Sequence, residues 1–90
     1  MHTQPTGSQS RTAVVTGGAG PRSIGRATAI RFARDGWAVA IVDLDGEGAR
    51  LLAGELSAEF GIIAEGYALD VTDSAAVDAV AAQIAASELP

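Results

Sequence analysis

Ninety residues with a formal net charge of −5 make at most one small domain, and the acidic balance argues against nucleic acid or an anionic membrane as the main partner. A hydrophobic share of 48% with 19% charged residues is that of a globular chain, and with only 4% aromatics its core is expected to be Ala, Val, Ile and Leu. There is no cysteine, hence no disulfide framework or thiolate metal site; no metal is expected, and no run approaches membrane-spanning length.

In chain order, residues 1–11 are polar, contain Pro5 and Gly7, and are expected to be a disordered leader. The leader lacks the apolar stretch of a secretory signal, so the expected location is cytoplasmic. Thr12-Ala13-Val14-Val15-Thr16 is short, β-branched and apolar without alternation, as expected of a strand buried on both faces of a parallel sheet. A glycine-rich turn follows, then a helix from about Ser23 to Asp35. Gly25, Ala29, Phe32 and Gly36 share one helix face, and Gly36 is placed to end the helix in the left-handed conformation. Trp37 to Val42 forms a second continuous apolar strand that ends at Asp43. After the turn Leu44-Asp45-Gly46, a second helix runs to about Phe60 with Ala49, Leu52, Ala53, Leu56 and Phe60 on one stripe, closed by Gly61. A third strand spans roughly Ile62 to Leu69 and ends at Asp70-Val71. A third helix starts near the N-cap candidate Asp73 and carries Val77, Val80, Ala81, Ile84 and Ala85 on its apolar face.

Strands alternating with helices imply parallel pairing. The fold class is α/β: a three-layer αβα Rossmann-type half, β-α-β-α-β-α, with sheet order 3-2-1. Residues 12–90 form this half-domain, which is incomplete relative to a full doubly wound sheet. The edge of the first strand is expected to be unpaired and to invite self-association or a partner that supplies a fourth strand.

Open α/β sheets bind ligands at the C-terminal ends of their strands. The first strand ends in Thr16-Gly17-Gly18-Ala19-Gly20-Pro21-Arg22-Ser23-Ile24-Gly25, a glycine turn into a helix N-terminus. Unpartnered amides and the positive end of the helix dipole make such a turn a seat for a diphosphate. Asp43, at the end of the second strand, can accept hydrogen bonds from both hydroxyls of an adenosine ribose. Its charge repels a 2′-phosphate and favours NAD over NADP. Asp70 ends the third strand. Ser23 either caps the helix alone or also donates to a phosphate. Arg22 either reaches a phosphate or is solvated. Asp45 is the alternative to Asp43, although its spacing suits the cap of the second helix. Trp37 and Tyr67 read as packing residues, and Glu47, Glu55, Glu59 and Glu65 as solvated faces.

The Thr16-Gly17 turn, Gly25-Arg26-Ala27, Val42-Asp43-Leu44-Asp45 and Leu69-Asp70-Val71-Thr72-Asp73 resemble the N-terminal part of short-chain dehydrogenases/reductases over about residues 12–88. The resemblance implies a nicotinamide dinucleotide cofactor held by Gly17, Gly20, Arg22, Ser23, Ile24, Gly25, Asp43, Leu44, Asp70 and Val71. In that frame Asp70 faces the adenine amino group, the Val71 backbone meets a ring nitrogen, and Ile24 packs beside the cofactor. The family turn is Thr-Gly-x-x-x-Gly-x-Gly; here Gly25 lies eight residues beyond Gly17, and Ser23 takes the place of the middle glycine. That longer loop resembles the divergent branch containing enoyl-acyl-carrier-protein reductases.

Hydride transfer in this family rests on a Tyr-x-x-x-Lys pair, a serine and an asparagine. The chain has no lysine and no asparagine, and four residues after its only tyrosine, Tyr67, stands Val71. The expectation is a cofactor-binding part of an oxidoreductase, truncated before its catalytic residues. The alternatives are a non-catalytic nucleotide-binding module completed by a partner, and a relative of extended-type nucleotide-sugar epimerases and dehydratases.

Overall fold

The structure, a computed structural model, describes residues 11–17, 20, 23–87, 89 and 90. Its elements are β1 (Thr12–Thr16), α1 (Ile24–Arg34), β2 (Ala38–Asp43), α2 (Gly46–Phe60), β3 (Ala64–Ala68) and α3 (Ser74–Ala86). The three strands are parallel in the order β1-β2-β3, which is the expected 3-2-1 arrangement.

Alternation along the strands sorts the side chains into two faces. On one face Ala13 and Val15 of β1 and Val39 and Ile41 of β2 pack against Ala29 and Ala33 of α1 and Ala49, Leu52, Ala53 and Leu56 of α2. This is the main core, closed by two helices. The opposite face carries Ala38 and Ala40, packed with Leu89, Ile84 and Tyr67. Here α3 stands off the sheet. A groove of about 450 Å3 opens between Val14, Thr16 and Val42 on the sheet side and Val77, Val80 and Ala81 on the helix side.

Burial of β1 on both faces is therefore corrected: Val14 is 56% exposed because α3 and Leu89, the described cover of the second face, leave β1 open. For the same reason Val80 is the buried residue of α3, and Ala85 is exposed rather than part of an apolar contact. The regular part of β3 is shorter than the expected Ile62–Leu69. Ladder hydrogen bonds still extend past both its ends, from Val39 N to Ile63 O at 3.0 Å and from Leu69 N to Asp43 O at 2.8 Å.

Local chemistry accounts for the helix ends. Ser23 caps α1, and its Oγ accepts the Arg26 amide at 2.9 Å. Gly36, at φ 89°, ends α1 in a Schellman arrangement: its amide donates to Ala33 O and the Trp37 amide to Phe32 O, both at 3.0 Å. The hydrophobic contact that accompanies this motif is an edge-on pair of Phe32 and Trp37 with ring centroids 4.9 Å apart. Arg11, assigned to the leader from sequence, lies over the Trp37 ring at 5.5 Å, and its carbonyl accepts the Ala38 amide at 3.0 Å, so it belongs to the domain. Residues 1–10 lie outside the described residues.

Two acidic residues expected to be merely solvated have partners. Glu55 pairs with Arg26 at 3.2 Å and ties α2 to α1. Glu65 is half-buried and accepts the Tyr67 hydroxyl. Partial burial, followed by that carboxylate, raises the Tyr67 phenol above its usual value, and the Ser87 hydroxyl opposes the shift.

Candidate functional site

Register brings the three strand ends to one level. Thr16 lies beside Val42 and Asp43 beside Ala68. The sheet ladder then runs on into the loops, because the Gly17 amide donates to Val42 O at 2.8 Å and the Leu69 amide to Asp43 O at 2.8 Å. Gly17 at the start of the glycine turn, Asp43 and Asp70 thus converge on one cleft of about 340 Å3, lined by Thr16, Gly17, Val42, Asp43, Leu44, Leu69, Asp70, Val71 and Thr72.

Gly17 leaves β1 at φ 71°, a conformation that favours glycine, and a Cβ there would point into open space. Gly25 has the opposite reason to be glycine. A Cβ on it would come within 2.8 Å of both Thr16 O and Gly17 O, so its absence lets the first turn of α1 rest on the end of β1. Gly20 is half-buried, and its carbonyl accepts the Ser23 amide at 3.2 Å and the Ser23 hydroxyl at 3.1 Å. The Ser23 side chain thus gives its proton to the loop and its lone pair to the helix. Of the first amides of α1, Arg26 N–H goes to that cap, and Ala27 N–H starts the helical ladder at Ser23 O. The amides of Ile24 and Gly25 precede the ladder and are the ones the turn can offer to an anion.

Asp43 is half-buried, and its Oδ1 accepts the Asp45 amide at 3.0 Å. Asp45 caps α2 by accepting the Gly48 amide at 2.9 Å. Asp70 repeats the device at the next strand end. Its Oδ1 accepts the Thr72 amide at 2.9 Å and the Thr72 hydroxyl at 2.6 Å. These two bonds, the hydroxyl first, hold the Asp70 carboxyl below its usual range.

Three apolar side chains stand unburied around these polar groups. Ile24 is 86% exposed, Leu44 75% and Val71 58%. Leu44 and Val71 line the cleft, whereas Ile24 stands beside it on the first turn of α1. Gly20, Ser23 and Gly25 shape the loop and helix next to the cleft and do not line it. Arg22 lies outside the described residues. Sequence reasoning missed Thr72 as the residue that fixes Asp70, and the Asp45 amide as the partner of Asp43. In both cases the signal was present, an Asp two residues ahead of the amide its side chain accepts. Among the described residues no group of His, Cys, Asp and Glu side chains could hold a metal ion, and no helix is long and apolar enough to cross a membrane.

Comparison with known proteins assigns this arrangement. Residues 11–88 match the family model for short chain dehydrogenase. A sorbitol dehydrogenase of Cereibacter sphaeroides is 46% identical over 74 residues, which are 82% of this chain and 27% of that protein. Among solved structures, L-sorbose reductase from Gluconobacter frateurii, complexed with NADPH and L-sorbose, superposes with a TM-score of 0.82 at 29% identity, covering 94% of this chain and 32% of that one. An NAD+-bound xylitol dehydrogenase superposes with a TM-score of 0.73 at 33% identity, covering 86% of this chain and 29% of that one. The 90 residues thus span about a quarter to a third of the length of these relatives. Family match, parallel half-sheet and strand-end cleft agree: the chain belongs to the short-chain dehydrogenases/reductases and is a nicotinamide-cofactor-binding part of that family.

Proposed function

We propose that this chain holds NAD in preference to NADP, for an oxidoreductase that moves hydride between the nicotinamide and a carbonyl or alcohol. The observation that carries the cofactor preference is the charge of the cleft. Its described lining contains two carboxylates, Asp43 and Asp70, and no basic side chain. A 2′-phosphate placed against Asp43 would bring like charges together. The ribose hydroxyls of NAD instead find an acceptor there. The relatives do not decide the matter, because one is bound to NADPH and another to NAD+.

The remaining groups fit the same ligand. The Ile24 and Gly25 amides suit the diphosphate. Ile24, Leu44 and Val71 offer apolar surface to flat rings, and Asp70, held by Thr72, suits the adenine amino group. The nicotinamide supplies the hydride chemistry when bound. This chain's own residues bind and orient the cofactor; the tyrosine–lysine pair that handles the proton in the family has no counterpart among 90 residues that lack lysine.

Two further elements belong to the reading. The outer edge of β1 has no strand beside it among the described residues, and Val14 next to it is exposed, which favours pairing with a strand from a second copy or from elsewhere in a longer protein. A cytoplasmic location belongs to the same reading and is tested by fractionation.

Binding is tested by titrating the purified chain with NADH and with NADPH and following nucleotide fluorescence. The expected result is NADH binding at least about tenfold tighter than NADPH, the equivalent of one charged contact. Equal affinities, or a preference for NADPH, would remove Asp43 as the selecting group.

A further inference from the structure

We propose that Asp45 is a positioning residue for the cofactor, acting through Asp43. The inference rests on the reading of Asp43 as the ribose acceptor. Asp43 does not orient itself: its Oδ1 is held by the Asp45 amide at 3.0 Å. The direction of that amide is set in turn by the conformation of Asp45 as N-cap of α2, φ −83° and ψ 87°, with its side chain on the Gly48 amide at 2.9 Å. The turn has little room to drift. Gly46 is packed so closely against β3 that a Cβ on it would come within 2.5 Å of the Ala68 Cβ, and the Asp43 carbonyl is held by the Leu69 amide at 2.8 Å. A helix cap on one side of the turn thus fixes a carboxylate on the other. The chain of contacts runs from Gly48 N–H to the Asp45 carboxylate, then from the Asp45 amide to the Asp43 carboxylate. Losing the cap frees the Asp45 backbone, and the amide that aims Asp43 loses its fixed direction.

The role belongs to the cap acceptor rather than to the charge, and this separates positioning from simple electrostatics. Asn is as good an N-cap as Asp and keeps the backbone amide, whereas Ala keeps the amide and loses the cap. Asp45→Asn should therefore bind NADH within about twofold of the unaltered chain, and Asp45→Ala should bind it roughly three- to tenfold more weakly, the range of one lost cap.

The deciding experiment is a double-mutant cycle on the 90-residue chain with Asp43→Ala, Asp45→Ala and both, read as NADH affinity by fluorescence titration. If Asp45 acts through Asp43, Asp45→Ala weakens binding in the unaltered chain and has no further effect once Asp43 is alanine. Additive losses would overturn the proposal, because a general loosening of α2 acts whether or not Asp43 is present. If Asp43→Ala itself leaves NADH affinity unchanged, the ribose reading fails, and the proposal with it. If Asp43→Ala weakens binding and the losses add, only the positioning role fails. Should Asp45→Ala not fold, Asp45→Asn still decides: a loss of NADH affinity of tenfold or more in a variant that keeps the cap would overturn the proposal.

Discussion

At the scale of single residues, the strand-end cleft carries two carboxylates, Asp43 and Asp70, each held by the amide two residues on. Asp70 is an exposed side chain, yet the Thr72 hydroxyl and amide both donate to one of its oxygens. Its pKa in the folded chain therefore lies below the ordinary 3.8. A lowered folded value means that the contribution to stability is present above the unfolded value and is lost as pH falls through the folded one. Thr72→Val removes the larger of the two causes, so the Asp70 titration followed by carbon NMR should move back up toward 3.8. An unchanged midpoint would show that the hydroxyl does not hold the carboxylate. These anchors explain what could be read from the sequence at this scale. Asp43 and Asp70 were legible as strand-end acids, because alternating strands and helices put the C-terminal ends of the parallel strands on one side of the sheet. The partners that hold them were harder to see, because Asp45 reads first as a helix cap and Thr72 has no role of its own in the sequence beyond its place two residues after Asp70.

At the scale of elements, the helix caps carry most of what the sequence disclosed. Ser23, Asp45 and Asp73 cap the three helices as expected, and Gly36 and Gly61 take the left-handed conformation, because capping is decided by a few adjacent residues. Glycines inside helices need the tertiary packing to be understood, and two of them make opposite predictions. Gly54 lies within α2 with nothing near its missing side chain, so Gly54→Ala should stabilise the chain by about 0.5–1 kcal/mol through helix propensity alone. Gly25→Ala gains a similar propensity term but drives a methyl to 2.8 Å from two backbone oxygens that cannot swing aside. The overpacking cost of about 1–3 kcal/mol outweighs the gain, and the first turn of α1 must lift off β1. Thermal melting should therefore rise for Gly54→Ala and fall for Gly25→Ala. A rise in both would mean that α1 does not rest on the strand as closely as described. The exposure of Val14 was not legible in the sequence. An uninterrupted apolar strand reads as buried on both faces, and which face is covered depends on where the third helix settles.

At the scale of the whole molecule, the two faces of the sheet are covered unequally among the described residues. The face closed by α1 and α2 holds Ile41, Leu52 and Leu56 at 2% exposure or less, whereas the face under α3 keeps an apolar groove of about 450 Å3 beside the edge of β1 that no strand covers among the described residues. An apolar face next to an unpaired strand edge favours association. Sedimentation equilibrium of the 90-residue chain should show a mass that rises with concentration, and a monomer at every concentration would contradict the edge reading. The groove borders the strand-end cleft and shares Thr16, Val42, Leu69 and Val71 with it. The cleft itself makes the central claim, that a fixed carboxylate at the end of β2 selects the cofactor. Its most direct test is the ratio of NADPH to NADH dissociation constants in the chain with Asp43 and in Asp43→Ala. Loss of hydrogen bonds to a charged acceptor, together with relief of the repulsion, should weaken NADH roughly tenfold or more and bring the ratio close to one. A ratio that stays unchanged in Asp43→Ala would contradict the account.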